Sequence, residues 1–318
     1  MKLQTIVPLN KEENQISYQS ELLLIGSCFV LNMGSKFEYY KFKSVVNPFG
    51  IIFNPNAIDI LVERAVNNKK FEEKDIFFFN ERWHCYEVHS DLSDVSKENL
   101  LHNLNQALDL LSYRLKKSTH IIITLGTSWV YRLNETGKLV ANCHKVPQNN
   151  FTKHLLSTEE ITENLENILN NVKNINNRAE VIFTVSPVRH LKDGFTENQA
   201  SKSHLITALH EILNRKSGNI NLTYFPSYEI MIDELRDYRF YKEDMVHPNS
   251  LAVNYIWEKF KAVWISESDF STMEEVASIQ KSLTHKPFNP ESDQHKKFLK
   301  SLSEKIMYLQ LKYPFIKF

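Results

Sequence analysis

Two short stretches of this chain hold residue types that together perform nucleophilic acyl chemistry. They are Gly26-Ser27-Cys28-Phe29 near the start and Asp244-Met245-Val246-His247 near the end. Attack by a serine hydroxyl on an acyl carbon needs a base within hydrogen-bond reach and an acid that orients the base. Asp244 and His247 can supply both from one turn, the carboxylate holding the imidazole and the imidazole facing Ser27. The plain alternatives are that Ser27 only caps a helix and that Asp244 caps a turn beside an ordinary surface histidine. Cys28 is intrinsically the better nucleophile, but the next position along a turn or helix points elsewhere, so it is expected to pack.

The elements that must position these residues are readable from hydrophobic patterning. Leu22-Leu23-Leu24-Ile25 is the continuous apolar run that a parallel strand buried on both faces requires. It stops at Gly26, which permits a sharp turn. A segment of helical character follows, so Ser27 falls at or just before a helix N-terminus. Further strands are predicted over 120–126, 180–187 and 222–228, with a short apolar and basic run over 42–46. Helices are predicted from about residue 57 through IDILVERAVNN, and over 97–117, 158–171, 198–216 and 250–266, with a short helix and turn over 233–241. Residues 75–90 alternate and are rich in aromatics, which predicts a β-hairpin turning at Asn80-Glu81 and lying over the site as a lid. Residues 129–151 read as a looser segment. The last stretch, 267–318, reads as two charged amphipathic helices joined at HKPFNPES.

Alternation of buried strands and helices predicts an α/β fold, a doubly wound parallel sheet covered on both faces. Ligand sites in such sheets lie outside the carboxyl ends of the strands. Ser27, Gly50, Gly126-Thr127, Ser186-Pro187 and the Asp244–His247 loop all fall on that edge. The organisation expected is a hydrolase domain over 1–266 and a helical extension over 267–318 packing on it.

A tetrahedral intermediate needs preorganised donors for its negative oxygen. The N–H of Ser27 is one candidate. The N–H of Gly50 is another, in a loop bracketed by Asn47-Pro48 and Asn54-Pro55; a plain turn glycine is the alternative. A third donor is expected from Thr127 or from an amide such as Asn142. Asn47 joins this substrate-binding set. Arg189-His190, after the third strand, reads either as a binder of an anionic or sugar group or as solvated surface. The aromatic segment 77–86 reads as hairpin core or as a substrate platform, and residues 236–241 as a buried ion-pair network bracing the Asp244–His247 loop.

Composition narrows the function classes. The chain has 318 residues, 42% hydrophobic and 24% charged, with zero formal net charge. That balance, with no basic run, gives no sign of nucleic acid as a partner. No apolar run is long enough to span a membrane, and the first residues lack the pattern of a signal peptide. Three cysteines without close pairing fit a reducing compartment, so a cytoplasmic location is expected. Cys85 and Cys143 adjoin His84 and His144, yet no C-x-x-C or H-x-x-x-H pair exists, so no metal and no cofactor are expected. With only seven glycines, Gly26, Gly50 and Gly126 are expected where the backbone needs them.

The segments GSCFV, NPFGIIFNP, TLGTSWVY, NCHK, TVSPVRH and FPSYEIMIDELRDYRFYKEDMVHP resemble the recurrent motifs of the GSCFA family, over residues 20 to 260. That family is similar to the SGNH/GDSL hydrolases. The resemblance implies a flavodoxin-like three-layer α/β/α sandwich with a parallel sheet of about five strands. It also implies Ser27 as the nucleophile of the first block, Gly50 as the second-block glycine, and Asp244 and His247 as the last-block pair. The third block departs from the Gly-x-Asn of that group, because Gly126-Thr127-Ser128 stands there. Thr127, or Asn142 with His144 nearby, is then expected in place of the missing amide. The function expected is an esterase or O-deacetylase acting on a small acylated or carbohydrate-derived ester. The alternatives are an O-acyltransferase with the same residues and a non-catalytic carbohydrate- or ligand-binding module. The oligomeric state is not legible.

Overall fold

The computed structural model describes residues 4–215 and 221–318. The first layer of structure is the strand β1 (Glu21–Gly26) running into helix α1 (Cys28–Tyr39) and returning as β2 (Lys43–Val46). Helix α2 (Pro55–Val66) starts sharply because Asn54 caps it through the N–H of Ala57 and Pro55 takes a first-turn position whose N–H would have no partner. A hairpin follows, β3 (Phe77–Phe79) and β4 (Arg82–His84), turning at Asn80 and Glu81, both at positive φ. Helix α3 (Lys97–Lys117) leads into β5 (His120–Leu125).

Residues expected to be irregular form instead a small antiparallel sheet of β6 (Trp129–Leu133), β7 (Leu139–Val140) and β8 (Phe151–Leu155), in the order β7-β6-β8. Its strands are short and half-exposed, so they carry none of the continuous apolar pattern that marks the central strands. The chain then alternates through α4 (Thr158–Ile175), β9 (Glu180–Val185), α5 (Phe195–Arg215) and β10 (Asn221–Tyr224). The sequence-predicted end of α5 at Lys216 lies outside the described residues. After β10, α6 (Ser227–Glu229) continues into a π-helical turn over Ile230–Leu235, followed by α7 (Ser250–Trp264), α8 (Phe270–Leu283) and α9 (Asp293–Lys312).

The five long-range strands pair in parallel in the order β10-β9-β5-β1-β2. This is the flavodoxin-like order, and helices cover both faces. Side-chain alternation divides the core. Leu23, Ile25, Ile121, Ile123, Val181 and Phe183 face a cluster built with α2, α3, α4 and α5. Leu22, Leu24, Ile122 and Ile182 face a second cluster with α1, α7, α8 and α9, where Phe37 meets Trp257 and Phe260 edge to face. Each such buried aliphatic side chain contributes about 1.5–3 kcal/mol by leaving water.

Two glycines set the carboxyl edge. Gly26 has φ +141°, and a Cβ there would stand 2.2 Å from the carbonyl oxygen of Thr124 in β5. Gly50 has φ +75°, and its Cβ would meet that of His89 at 2.5 Å. Any side chain at Gly26 must therefore push β1 away from β5. Gly26→Ala is expected to destabilise the fold by about 2 kcal/mol or more, read as a lower denaturant midpoint. An unchanged midpoint would show that the two strands can part without cost.

Candidate functional site

The loop from Tyr241 to Asn249 is held from several sides. The N–H of Lys242 donates to the carbonyl of His247 at 2.8 Å, and the N–H of Met245, at positive φ, closes the turn on Lys242. Asn249 caps α7 through the N–H of Ala252, while its amide donates to the carbonyls of Arg239 and Tyr241. From the neighbouring loop, the N–H of Arg189 donates to the carbonyl of Val246 at 3.1 Å. The expected buried ion-pair network over 236–241 is not what braces this loop. Arg239 pairs with Asp237 in solvent, and the ring of Tyr241 instead lies 4.1 Å from the guanidinium of Arg189.

Within that frame Asp244 does two jobs at once. One carboxylate oxygen accepts from the N–H groups of Val246 and His247, each at 2.9 Å, and the other accepts from Nδ1 of His247 at 2.8 Å. Those bonds, led by the two backbone N–H groups, lower its pKa to about 2. A carboxylate can only accept, so Nδ1 of His247 carries a proton, and in the tautomer this fixes Nε2 is the nitrogen able to accept. Both side chains remain accessible to solvent.

Ser27 stands where β1 ends. It is the N-cap of α1, and its Oγ accepts from the N–H of Phe29 at 3.3 Å. The residue is fully buried, whereas Cys28 beside it is partly exposed. No hydrogen bond joins Ser27 to His247 among the described residues. The expected donors are also engaged elsewhere. The N–H of Ser27 extends the strand ladder to the carbonyl of Thr124 at 3.0 Å, and the N–H of Gly50 closes a turn on the carbonyl of Asn47 at 2.8 Å. The first N–H of α1, that of Cys28, donates to no backbone oxygen among the described residues and lies against its own thiol sulfur.

Asn47 has a definite place. Its amide brackets the Gly26 peptide, Oδ1 accepting from the N–H at 2.8 Å and Nδ2 donating to the carbonyl at 3.2 Å. Thr127 turns inward, its Oγ1 sharing a hydrogen bond with Ser201 and accepting from the N–H of Trp129. Asn142 and His144 sit with the β3–β4 hairpin: Oδ1 of Asn142 accepts from the N–H of His144, and Nε2 of His144 meets the carbonyl of Cys85 at 2.7 Å. No hydrogen bond links any of Thr127, Asn142 and His144 to Ser27, Asp244 or His247 among the described residues. The Thr127 hydroxyl is therefore taken up by local structure, while Nδ1 of His144 is buried without a partner among the described residues. The hairpin segment itself is tied to the Gly50 loop through the N–H of His89 and the carbonyl of Phe49.

Two buried titratable residues stand at this edge, one read from the sequence only as part of Arg189-His190 and one not singled out at all. His190 follows Arg189, and its Nε2 is buried without a partner; burial, Lys202 and His247 together lower its pKa to about 3. Lys202 of α5 is 1% exposed and donates from Nζ to the carbonyls of Gly126 and Ser186. Only the unbroken spacing of α5's buried face pointed to Lys202. As for metals, the rings of His84 and His144 lie 4.9 Å apart. Both nitrogens of His84 are already taken, by Ser93 and by the carbonyl of Phe79, and no cluster of three or more ligating residues occurs among the described residues. No described helix is long and apolar enough to cross a membrane.

Comparison with known proteins bears on this site. The family model described as GSCFA family matches residues 21–260, and that of the GSCFA domain protein, C-terminal domain, matches residues 276–318. Among solved structures, an acetyl xylan esterase (Est2A) from the rumen bacterium Butyrivibrio proteoclasticus aligns with a TM-score of 0.42 and 10% identity, over 79% of this chain and 66% of that enzyme's length. No curated protein matches the chain.

The depressed histidines make stability depend on pH. Below the unfolded value near 6.5, the unfolded chain binds protons that His190 and His144 refuse until about pH 3 and about pH 4. Their contribution to stability is therefore full above pH 6.5 and is lost as pH falls below it. Unfolding free energy measured in denaturant is expected to fall between pH 6.5 and pH 4, with a shallower slope in His190→Gln. An identical slope in that variant would show that His190 titrates normally in the fold.

Proposed function

We propose that this chain, which belongs to the GSCFA family, is a serine hydrolase of the SGNH type. It cleaves an ester of a small acylated or glycan-derived substrate through an acyl-enzyme on Ser27. The observation that carries the reading is the Asp244–His247 pair, with the carboxylate on Nδ1 and Nε2 left as a base, on the same strand-end edge as a serine at a helix N-terminus.

In this reading Nε2 of His247 takes the proton of Ser27 as Oγ attacks the ester carbon. Asp244, ionised at any ordinary pH, fixes the ring and stabilises its charged form. The negative oxygen of the tetrahedral intermediate is met by the N–H of Cys28, strengthened by the positive end of the α1 dipole. Collapse expels the alkoxide, which leaves with the proton from His247. Water then attacks the acyl-enzyme with His247 again as base, releasing the acid and restoring Ser27. An acceptor alcohol in place of that water would make the same residues an O-acyltransferase. Arg189, with its guanidinium beside Tyr241 and Tyr238, offers a cationic wall for an electronegative substrate group. No step calls for a cofactor.

A second reading, a non-catalytic ligand-binding module, is favoured by the burial of Ser27 and by its hydroxyl capping α1 rather than meeting His247. A fluorophosphonate separates the two. The expected result is one adduct by intact mass on wild type and on Cys28→Ala, absent from Ser27→Ala. Once a substrate is found by ester screening, Ser27→Ala should lower turnover on the order of a thousandfold or more. No adduct on folded wild type would favour the binding module.

A further inference from the structure

Lys202 is the charged group that the steps above leave unused. It lies on α5, buried to 1% exposure, and no carboxylate pairs with it among the described residues. Its Nζ donates to the carbonyl of Gly126 at 2.6 Å and to that of Ser186 at 2.8 Å. Those two carbonyls sit where the chain leaves the adjacent strands β5 and β9 and the two backbones part. The titratable groups facing the ammonium are Cys28 from α1, His190 from the loop after β9, and Tyr228 from α6, whose ring centre is 5.5 Å away. A buried unpaired ammonium is costly, and an apolar side chain of similar length would fill the space without that cost.

Two connections run from Lys202 to the site. The first is mechanical. From Ser186 the loop passes through Val188, whose N–H donates to Oγ of Ser186, to Arg189, whose N–H holds the carbonyl of Val246 beside His247. The second is electrostatic: burial raises the pKa of the Cys28 thiol at the start of α1, and the charge of Lys202 opposes that shift by favouring the thiolate. We propose that Lys202 is a positioning residue of this site: it clamps the ends of β5 and β9, seats the His247 loop through residues 186–189, and projects its charge onto the N-terminus of α1. The inference rests on the hydrolase reading for its meaning, but its test needs no turnover.

Burial lowers the pKa of Lys202 to about 7, so the charge should be present below pH 7 and fade above it. The thiolate of Cys28 reports this by displacing iodide from iodoacetamide, and peptide mass separates its adduct from any on Cys85 and Cys143. The expected result is that wild type alkylates several-fold faster than Lys202→Met at pH 6.5 and that the two rates converge by about pH 9. Lys202→Arg should keep its advantage at pH 9. A wild-type to Lys202→Met ratio that does not change with pH, or faster reaction of Lys202→Met at every pH, would overturn the electrostatic connection.

Amide exchange at residues 186–189 and 242–247 should quicken in Lys202→Met and recover in Lys202→Arg. Unchanged exchange in Lys202→Met would overturn the mechanical connection. Should Lys202→Met not fold, the wild-type profile decides: the logarithm of the alkylation rate should climb with a slope below one around pH 7, because two coupled groups titrate together. A unit slope from pH 6 to pH 9 would remove the proposal. A failed fluorophosphonate reaction would leave this thiol profile untouched.

Discussion

The site depends on how closely β1 and β5 approach at their carboxyl ends. A Cβ on Gly26 would overlap the carbonyl of Thr124, so the two backbones come together there as no other residue allows. Asn47 grips the same peptide from the other side through both its N–H and its carbonyl. With Gly26 fixed between them, the ladder runs one residue further and takes the N–H of Ser27. One contact therefore decides where the serine stands. The sheet consumes the N–H of Ser27, whereas that of Cys28 donates to no backbone oxygen among the described residues.

The fold was largely legible because its signals are local and redundant. Runs such as LLLI, IIIT and VIFTV are buried on both faces, and a continuous apolar strand in an α/β alternation has few other uses. Helix starts were legible for the same reason: Ser96 and Ser157 cap α3 and α4 through bonds set by residues within one turn. The three-stranded sheet over 129–155 was not legible. Its strands are half-exposed and pair across a long loop, so what holds them is the partner strand rather than any pattern in their own residues.

The same division runs through the site. Asp244 and His247 were readable as a pair because three residues of one turn connect them, and the competing view of Asp244 as a turn cap is true as well: one oxygen serves each role. Thr127 was readable as a donor by its place after β5, but its hydroxyl goes to Ser201, a neighbour that only the tertiary structure brings near. Lys202 was hidden for the opposite reason. An isolated lysine within a helix reads as solvated surface, and its burial follows from carbonyls of residues 76 and 16 positions away in the chain.

Ser27 and His247 are not hydrogen-bonded, and the energetics say which of them would move to meet the other. The His247 loop is held by Arg189, by Asn249, by Lys242 and by three bonds to one carboxylate, each worth about 1 kcal/mol and more where charge is involved. Shifting it would break several at once. Ser27 has one side-chain bond to give up, a long cap contact to Phe29 worth about 1 kcal/mol. Turning its Cα–Cβ bond changes no backbone contact, since its N–H and carbonyl are held independently by Thr124 and Val30. A hydrogen bond to an imidazole that Asp244 has already oriented would offset the lost cap. Of the two side chains the serine hydroxyl has the less to give up, so under the hydrolase reading it is the one that would turn while the loop stays fixed.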